Sequence, residues 1–353
     1  MPGSTHGGKK TLLMVQVLRA VAVMMVVGYH ISDLLTTRLG VKHFYFVNGS
    51  AGVDIFFVIS GVVMVISSQS IAKGQRPGRT FFARRLERIV PLYWIATTLK
   101  LVILYAAPRM ASEVPGSLWH DVRSYLFLPT LHGVRTFPVL TVGWTLNYEM
   151  LFYAFFGVAL ALRVPPLRVL LPTLGLIGVV ACFMKPGSTG PVIYEDRIVF
   201  AFLYGVVLGQ VVIAGKVPGR IWSTALMLVG FVLLFTVEPT FTVTRVVAWG
   251  LPALAVVAGA IGLESSIGRF VPGWLLEIGD ASYAIYLFHG FVLSALGILI
   301  GRAGFGRDSS IELAIVFGVA LSVLVGIGVY RVIEVPLRSY FRPRRGRAVP
   351  ANV

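Results

Sequence analysis

The first long apolar stretch, QVLRAVAVMMVVGYHISDLL at residues 16–35, decides the fold, because it is long enough to cross a lipid bilayer. It nevertheless contains Arg19 and His30. A charged side chain near the centre of a membrane costs ~2.5–3.5 kcal/mol, so such residues usually face the interior of a helix bundle. The 11-residue spacing corresponds to about three helical turns, so both side chains project from one face with ~16 Å between them. The stretch predicts a membrane helix whose interior face carries a polar group towards each end.

The rest of the chain repeats this apolar pattern. Of its 353 residues, 56% are hydrophobic and 13% are charged, about half the charged fraction of a soluble domain. These features predict an all-α, polytopic membrane protein with about ten transmembrane helices. The predicted spans are 12–32, 52–70, 86–107, 144–162, 167–184, 195–214, 221–237, 244–262, 277–300 and 311–335.

The formal net charge of +16 follows membrane topology rather than nucleic-acid binding. Most Lys and Arg residues fall in loops and tails on one face of the predicted bundle, so the positive-inside rule places both termini in the cytoplasm. We expect a cytoplasmic N-terminal tail (1–11), one ten-helix domain (12–340) and a basic cytoplasmic tail (341–353). The single cysteine, Cys182, excludes an intrachain disulfide. No metal is expected.

One long connection, residues 108–143, joins two spans on the predicted outer face. It contains GSLWHDVRSYLFLP, whose mixed apolar and polar residues predict an amphipathic helix at the membrane interface. Such a segment either covers the outer face or acts as a lid that contacts a substrate.

Two carboxylates lie near the outer ends of apolar spans, at depths comparable to that of His30. Asp54 belongs to GVDIFFVISG (52–61), and Glu149 belongs to WTLNYEMLFY (144–153). A carboxylate beside an imidazole fixes its tautomer, as a general base requires. Either residue could serve His30 in this way, and either could instead be a structural ion-pair partner.

An arginine cluster opens the third span, in RTFFARRLERIVPLYW (79–94). Arg84 and Arg88 are spaced i,i+4, and Arg85 and Arg88 are spaced i,i+3, so at least two guanidinium groups share a helix face. Guanidinium groups suit phosphate oxygens, although a topology anchor is the simpler interpretation. Pro91 predicts an interruption of the helix that opens this end.

The ninth span adds a second intramembrane histidine, His289, in GDASYAIYLFHG (279–290). Its position is equally consistent with packing and with a site that lines the bundle interior. Near the end of the last span, the i,i+3 spacing of Arg331 and Glu334 predicts a structural ion pair.

Five features occur in a fixed order: the Arg19-to-His30 spacing, GVDIFFVISG, FFARRLERIVPLYW, WTLNYEMLFY and ASYAIYLFHG. Together they resemble the membrane-bound acyltransferase 3 family, and most closely its exopolysaccharide-modifying acetyltransferase branch. The resemblance spans roughly residues 12–335. It implies O-acylation of a glycan or lipid-linked saccharide, with acetyl-CoA as donor, in a bacterial cytoplasmic membrane.

The resemblance also implies roles for single residues. His30 becomes the catalytic base, and Glu149 belongs to the acceptor side. Many family members have two adjacent acidic residues where this chain has Glu149 and Met150, which shifts a second carboxylate role to Asp54. The predicted donor-binding residues are Arg19, Arg84, Arg85 and Arg88. The predicted acceptor-binding residues are Trp144, Asn147, Tyr148 and His289.

A proton-coupled secondary transporter is the alternative function, since such carriers also place His, Asp, Glu and Arg within membrane helices. The inner arginine cluster favours the enzyme, because a carrier has no need of a permanent phosphate site there. The absence of an obvious inverted repeat points the same way.

Overall fold

The computed structural model describes residues 12–39, 46–106, 116–129, 137–183, 198–239, 244–302 and 311–341. Every regular element in these ranges is helical, so the all-α prediction is confirmed for them. The α-helices are α1 (Leu13–Leu39), α2 (Gly52–Ala72), α3 (Pro77–Ala106), α4 (Leu118–Tyr125), α5 (Trp144–Ala161), α6 (Pro166–Phe183), α7 (Val199–Ile213), α8 (Arg220–Thr236), α9 (Leu251–Ile267), α10 (Gly273–Arg302), α11 (Ile311–Val329) and α12 (Val335–Phe341).

Six helical segments are long and apolar enough to cross a membrane: Leu13–Thr37, Val47–Ala72, Pro77–Ala106, Val246–Phe270, Gly273–Ile300 and Ile311–Phe341. Shorter apolar helices occupy Pro166–Ile177, Val199–Ile213 and Arg220–Thr236. These lengths and compositions support a multi-pass membrane protein. Ten spans and cytoplasmic termini stay predictions, and the tails at 1–11 and 342–353 lie outside the described residues.

Helix α1 is central to the bundle, where it packs against both α2 and α10. Near its start, Gly279 of α10 approaches so closely that a Cβ there would lie 2.2 Å from the carbonyl oxygen of Gln16. Towards its other end, the rings of His30 and His289 are neighbours. The two helices therefore run parallel, although they come from opposite ends of the sequence.

Glycine also sets the contact between α2 and α7. A Cβ at Gly61 would lie 2.5 Å from the carbonyl oxygen of Phe202, and one at Gly205 would lie 2.1 Å from that of Val58. Small residues let membrane helices approach until their backbones touch. This contact fixes the position of α2, which contributes several residues to the site described below.

Helix α3 differs from its predicted form at two points. It begins at Pro77 instead of residue 86, because proline suits the first turn of a helix, where its missing N–H has no partner to lose. It also continues through Pro91, so the predicted interruption is wrong. Close by, the Tyr283 hydroxyl donates to the carbonyl oxygen of Ile89 at 2.7 Å and ties α10 to α3.

The predicted ion pair between Arg331 and Glu334 is wrong. Arg331 pairs instead with Glu277 of α10 at 2.5 Å, and Glu334 pairs with Arg338 one turn further along. A π-helical turn occupies Tyr330–Glu334 between α11 and α12. Because its turn is wider than that of an α-helix, residues spaced i,i+3 no longer lie above one another.

The amphipathic helix predicted in the long connection is present as α4. The Ser117 hydroxyl caps its first turn by accepting from the backbone N–H of His120 at 3.2 Å. The Tyr93 hydroxyl and the Trp94 indole of α3 donate to backbone carbonyls at the end of α4, each at 3.0 Å. Leu118 is exposed. Residues 107–115 and 130–136 lie outside the described ranges. Both interpretations of this connection, a cover of the outer face and a lid that contacts a substrate, therefore stay predictions.

Candidate active site

A cavity of about 130 Å³ lies between α1, α2, α3, α5, α7 and α10. A single water needs ~10–15 Å³ on such a measure, so the cavity has room for a narrow ligand arm. Its polar lining consists of Arg19, Ser60, Arg85, Arg88, Thr145, Glu149, Ser282, Tyr283 and Tyr286. Much of the remaining lining is apolar and includes Phe56, Phe57, Ile89, Leu146, Phe152 and Phe202. An apolar wall with a few convergent polar groups is typical of a ligand site.

Three of the four arginines predicted for donor binding meet in this cavity. Arg19 donates to the side chain of Gln16 at 3.2 Å, one turn before it. Arg88 makes no hydrogen bond or ion pair with any residue that the structure describes, although it interacts electrostatically with the Asp280 and Glu334 carboxylates as well as with Arg19 and Arg338. Arg84 is exposed and lies outside the cavity lining. The cavity thus has a cationic end, in which the Arg88 guanidinium forms no direct ion pair with a described carboxylate.

Arg85 is held in place by contacts on three sides. Its guanidinium donates to the Ser67 hydroxyl at 3.0 Å. It also lies 5.4 Å from the ring centroids of both Phe81 and Tyr153. Such cation–π contacts attract the guanidinium to the ring faces. The group is therefore oriented by the fold before any ligand arrives.

Glu149 lies in the same cavity as the arginines. Its Oε1 accepts a hydrogen bond from the Ser60 hydroxyl at 3.2 Å and another from the Tyr153 hydroxyl. Tyr153 therefore joins two charges, since its hydroxyl holds Glu149 while its ring contacts Arg85. This arrangement places Glu149 near the predicted donor residues.

Asp54 is fully buried and forms an ion pair with Arg245, whose Nη2 lies 2.9 Å from Oδ2. The Nε of Arg245 donates to the same carboxylate at 3.2 Å, and its guanidinium lies 5.0 Å from the ring centroid of Trp249. Of the two interpretations that the sequence left open, the structure favours the ion pair for Asp54.

His30 meets another histidine rather than a carboxylate among the described residues. The ring centroids of His30 and His289 are 5.0 Å apart, and the ring planes are inclined by 38°. His289 is buried, with its Nδ1 2.8 Å from the carbonyl oxygen of Tyr286. Tyr286 lines the cavity, and its ring centroid lies 6.1 Å from that of His289. The histidine pair thus adjoins the cavity at a different level from Arg19.

Sequence reasoning missed the serine and threonine hydroxyl groups of the cavity, above all that of Ser282. This side chain is buried, and its Oγ has no hydrogen-bond partner among the described residues. The Tyr283 hydroxyl is engaged by Ile89, and that of Tyr286 contacts Thr145 at 2.8 Å. An unpartnered buried hydroxyl is costly unless a ligand or water satisfies it. The only feature of the sequence that could have pointed to this serine is its position in ASYAIYLFHG, the motif that also contains His289.

The three residues predicted for acceptor binding on α5 lie outside the cavity lining. Tyr148 packs edge-on against Trp144, with ring centroids 6.0 Å apart, and against Phe57 at 6.3 Å. Asn147 is buried, and its Oδ1 has no partner within the described ranges. No group of three or more His, Cys, Asp or Glu in these ranges could hold a metal ion.

Comparison with known proteins identifies the family to which this site belongs. Residues 14–331 match the family model described as "Acyltransferase domain". The chain is 33% identical to "Exopolysaccharide production protein ExoZ" of Rhizobium meliloti (strain 1021), over 86% of this chain and 92% of that protein. It is 24% identical to "Putative acetyltransferase ORF330" of Acidianus two-tailed virus, over 81% of this chain and 86% of that protein. The chain therefore belongs to the membrane-bound acyltransferase 3 family.

Proposed function

We propose that this membrane acyltransferase moves an acetyl or similar short acyl group from cytosolic acyl-CoA to a hydroxyl of a cell-surface or exopolysaccharide sugar. The observation that carries the proposal is the meeting of Arg19, Arg85 and Arg88 in one cavity beside a helix that leads to His30. The similarity to an exopolysaccharide production protein supports the choice of acceptor. This reaction fits a bacterial cytoplasmic membrane, with the acyl donor on its cytosolic face and the sugar acceptor on the opposite face.

The donor's phosphates belong at the cationic end. Arg88 forms no direct ion pair with a described residue, and Arg85 is pre-oriented by Phe81, Tyr153 and Ser67. Guanidinium groups bind phosphate oxygens through charge-assisted hydrogen bonds, and pre-orientation lowers the entropy lost on binding. The Ser282 hydroxyl, unpartnered in the cavity wall, donates to the polar arm that carries the acyl group.

His30 acts as the general base on the sugar hydroxyl. The hydroxyl oxygen bonds to the thioester carbonyl carbon, the C–S bond breaks, and the hydroxyl proton passes to His30. The imidazolium then returns this proton to the departing thiolate, so the enzyme ends in its starting state. A positioned base contributes ~10²–10⁴-fold, so alignment of the two substrates supplies much of the remainder.

The test is calorimetric titration of acetyl-CoA, and of coenzyme A for comparison, into the protein in lipid nanodiscs. We expect saturable binding of both, because phosphate contacts dominate. Arg88→Ala should weaken this binding at least tenfold, since it removes a cation from the cavity. Arg79→Ala is the matched control, because Arg79 lies on the same helix, carries the same charge and is exposed.

Failure of folded protein to bind either ligand would contradict the proposal and favour the proton-coupled transporter. Equal losses of acetyl-CoA affinity in Arg88→Ala and Arg79→Ala would mean that the arginine cluster serves only to orient the protein in the membrane. A larger loss in Arg84→Ala than in Arg88→Ala would move the phosphate site to the exposed face of α3.

A further inference from the structure

The tautomer of His289 follows from its hydrogen bonds. Its Nδ1 lies 2.8 Å from the carbonyl oxygen of Tyr286 and 3.2 Å from that of Ile285. Carbonyl oxygens only accept, so Nδ1 must carry the hydrogen. A neutral imidazole has one N–H, which leaves Nε2 of His289 with a free lone pair.

The neutral form is the one that this environment favours. His289 is 1% exposed, and a buried imidazolium without a carboxylate partner is costly. The titratable side chains that adjoin it in the described structure are His30 from α1 and Tyr286 from α10. Since the Tyr286 hydroxyl contacts Thr145 and the carbonyl oxygen of Val142, His30 is the neighbour with ring N–H and lone pair to offer.

We propose that His289 is a positioning residue, which accepts a hydrogen bond at Nε2 from one ring nitrogen of His30 and so fixes the tautomer of the base. This inference rests on the proposed function of His30. The two rings do not form this hydrogen bond in the structure, but their centroids lie only 5.0 Å apart, so a rotation of the His30 ring brings one of its nitrogens within hydrogen-bond distance of Nε2. The other nitrogen of His30 then holds the lone pair that receives the sugar proton.

The contact gains strength during the reaction. When His30 takes the sugar proton, its N–H to His289 becomes a charge-assisted hydrogen bond, which is stronger than a neutral one. His289 therefore does for His30 what a carboxylate does for a histidine in other enzymes, without placing a permanent charge in the membrane. The alternative is a core histidine whose Nδ1 merely satisfies backbone carbonyls.

Two variants separate these roles. His289→Leu keeps a side chain of similar size but offers no acceptor, whereas His289→Gln presents an amide oxygen near the position of Nε2. We expect kcat for sugar acylation to fall about 100-fold in His289→Leu, because small errors in the position of a base are costly. Acetyl-CoA affinity should stay within twofold in both variants, and His289→Gln should recover at least a tenth of wild-type kcat.

Nitrogen-15 NMR of histidine-labelled protein gives a readout that does not depend on activity. His30→Ala identifies the His30 signals, which should report one tautomer in the wild type and a mixture in His289→Leu. A single, unchanged His30 tautomer in His289→Leu would overturn the inference even if the protein proves not to be an acyltransferase. So would a kcat in His289→Leu above half that of the wild type. If His289→Leu fails to fold, the His30 tautomer in His289→Gln decides, since a single tautomer supports the inference and a mixture overturns it.

Discussion

Arg245 and Asp54 are 191 positions apart in the sequence, yet their side chains meet at 2.9 Å and the carboxylate is fully buried. The pair ties the segment before α9 to the first turn of α2, which also carries cavity residues such as Phe56 and Phe57. Asp54 therefore holds this part of the site together through an arginine that the sequence did not single out as its partner.

Arg245→Met should destabilise the protein by about 3 kcal/mol, because it removes the arginine that forms the ion pair with the buried Asp54 carboxylate. Unfolding in mixed detergent measures the change in free energy. The double variant Arg245→Met with Asp54→Asn should recover part of the loss, since the uncompensated charge is gone. Additive losses in the double variant would show that the two side chains do not act as a pair.

His30→Ala should lower kcat for glycan acylation by ~10²–10⁴-fold, the usual contribution of a general base. Acetyl-CoA binding should be retained, because the arginines of the proposed phosphate site lie near the other end of α1. Radiolabelled acetyl transfer measures the first effect, and calorimetry measures the second. Wild-type turnover in this variant would place the base elsewhere.

Ser282→Ala should weaken acetyl-CoA binding by two- to tenfold, which is the worth of one ~0.5–1.5 kcal/mol hydrogen bond. Ser322→Ala is the matched control, because Ser322 is also buried and without a hydrogen-bond partner among the described residues, but it lies on α11 outside the cavity lining. Equal acetyl-CoA affinities in the two variants would show that Ser282 does not contact the acyl donor.

Glu149→Gln should bind acetyl-CoA at least as tightly as the wild type, because it removes a negative charge from the proposed phosphate site. The amide keeps an oxygen for Ser60 and Tyr153, so the local shape is preserved. Calorimetry compares this variant with Glu87→Gln, which changes an exposed carboxylate on α3. A marked loss of affinity in Glu149→Gln alone would mean that the carboxylate is needed to orient Arg85 through Tyr153.

The sequence was sufficient for most features that depend on one helix at a time, although the predicted interruption at Pro91 and the predicted pair of Arg331 with Glu334 are both wrong. Apolar length predicted where the helices lie, and the spacing of Arg19 and His30 predicted a shared face. Features that depend on two helices were beyond it. The i,i+3 and i,i+4 spacings on α3 could not decide between Arg84 and Arg85, because only the packing of α3 against α2 and α5 fixes which side faces inward.

The same reason explains the partners of the polar residues. Nothing local indicates that Asp54 pairs with Arg245 or that His30 adjoins His289, since each contact joins distant parts of the chain. Ser282 was missed because a serine in an apolar helix attracts attention only once its neighbours are known to leave it without a partner. The Arg331 error came from a local rule applied across a π-helical turn that the sequence did not reveal.

Helix α1 is unbroken from Leu13 to Leu39, so Arg19 and His30 are fixed on one rigid rod. Distance and direction are therefore coupled: deleting one residue between them would shorten the separation by ~1.5 Å and turn His30 by ~100° around the axis. A single insertion or deletion therefore cannot change the distance between Arg19 and His30 without also turning the proposed base away from His289. If the proposed function holds, adaptation to a longer or shorter donor comes from the helices around α1, while the length of α1 stays constant.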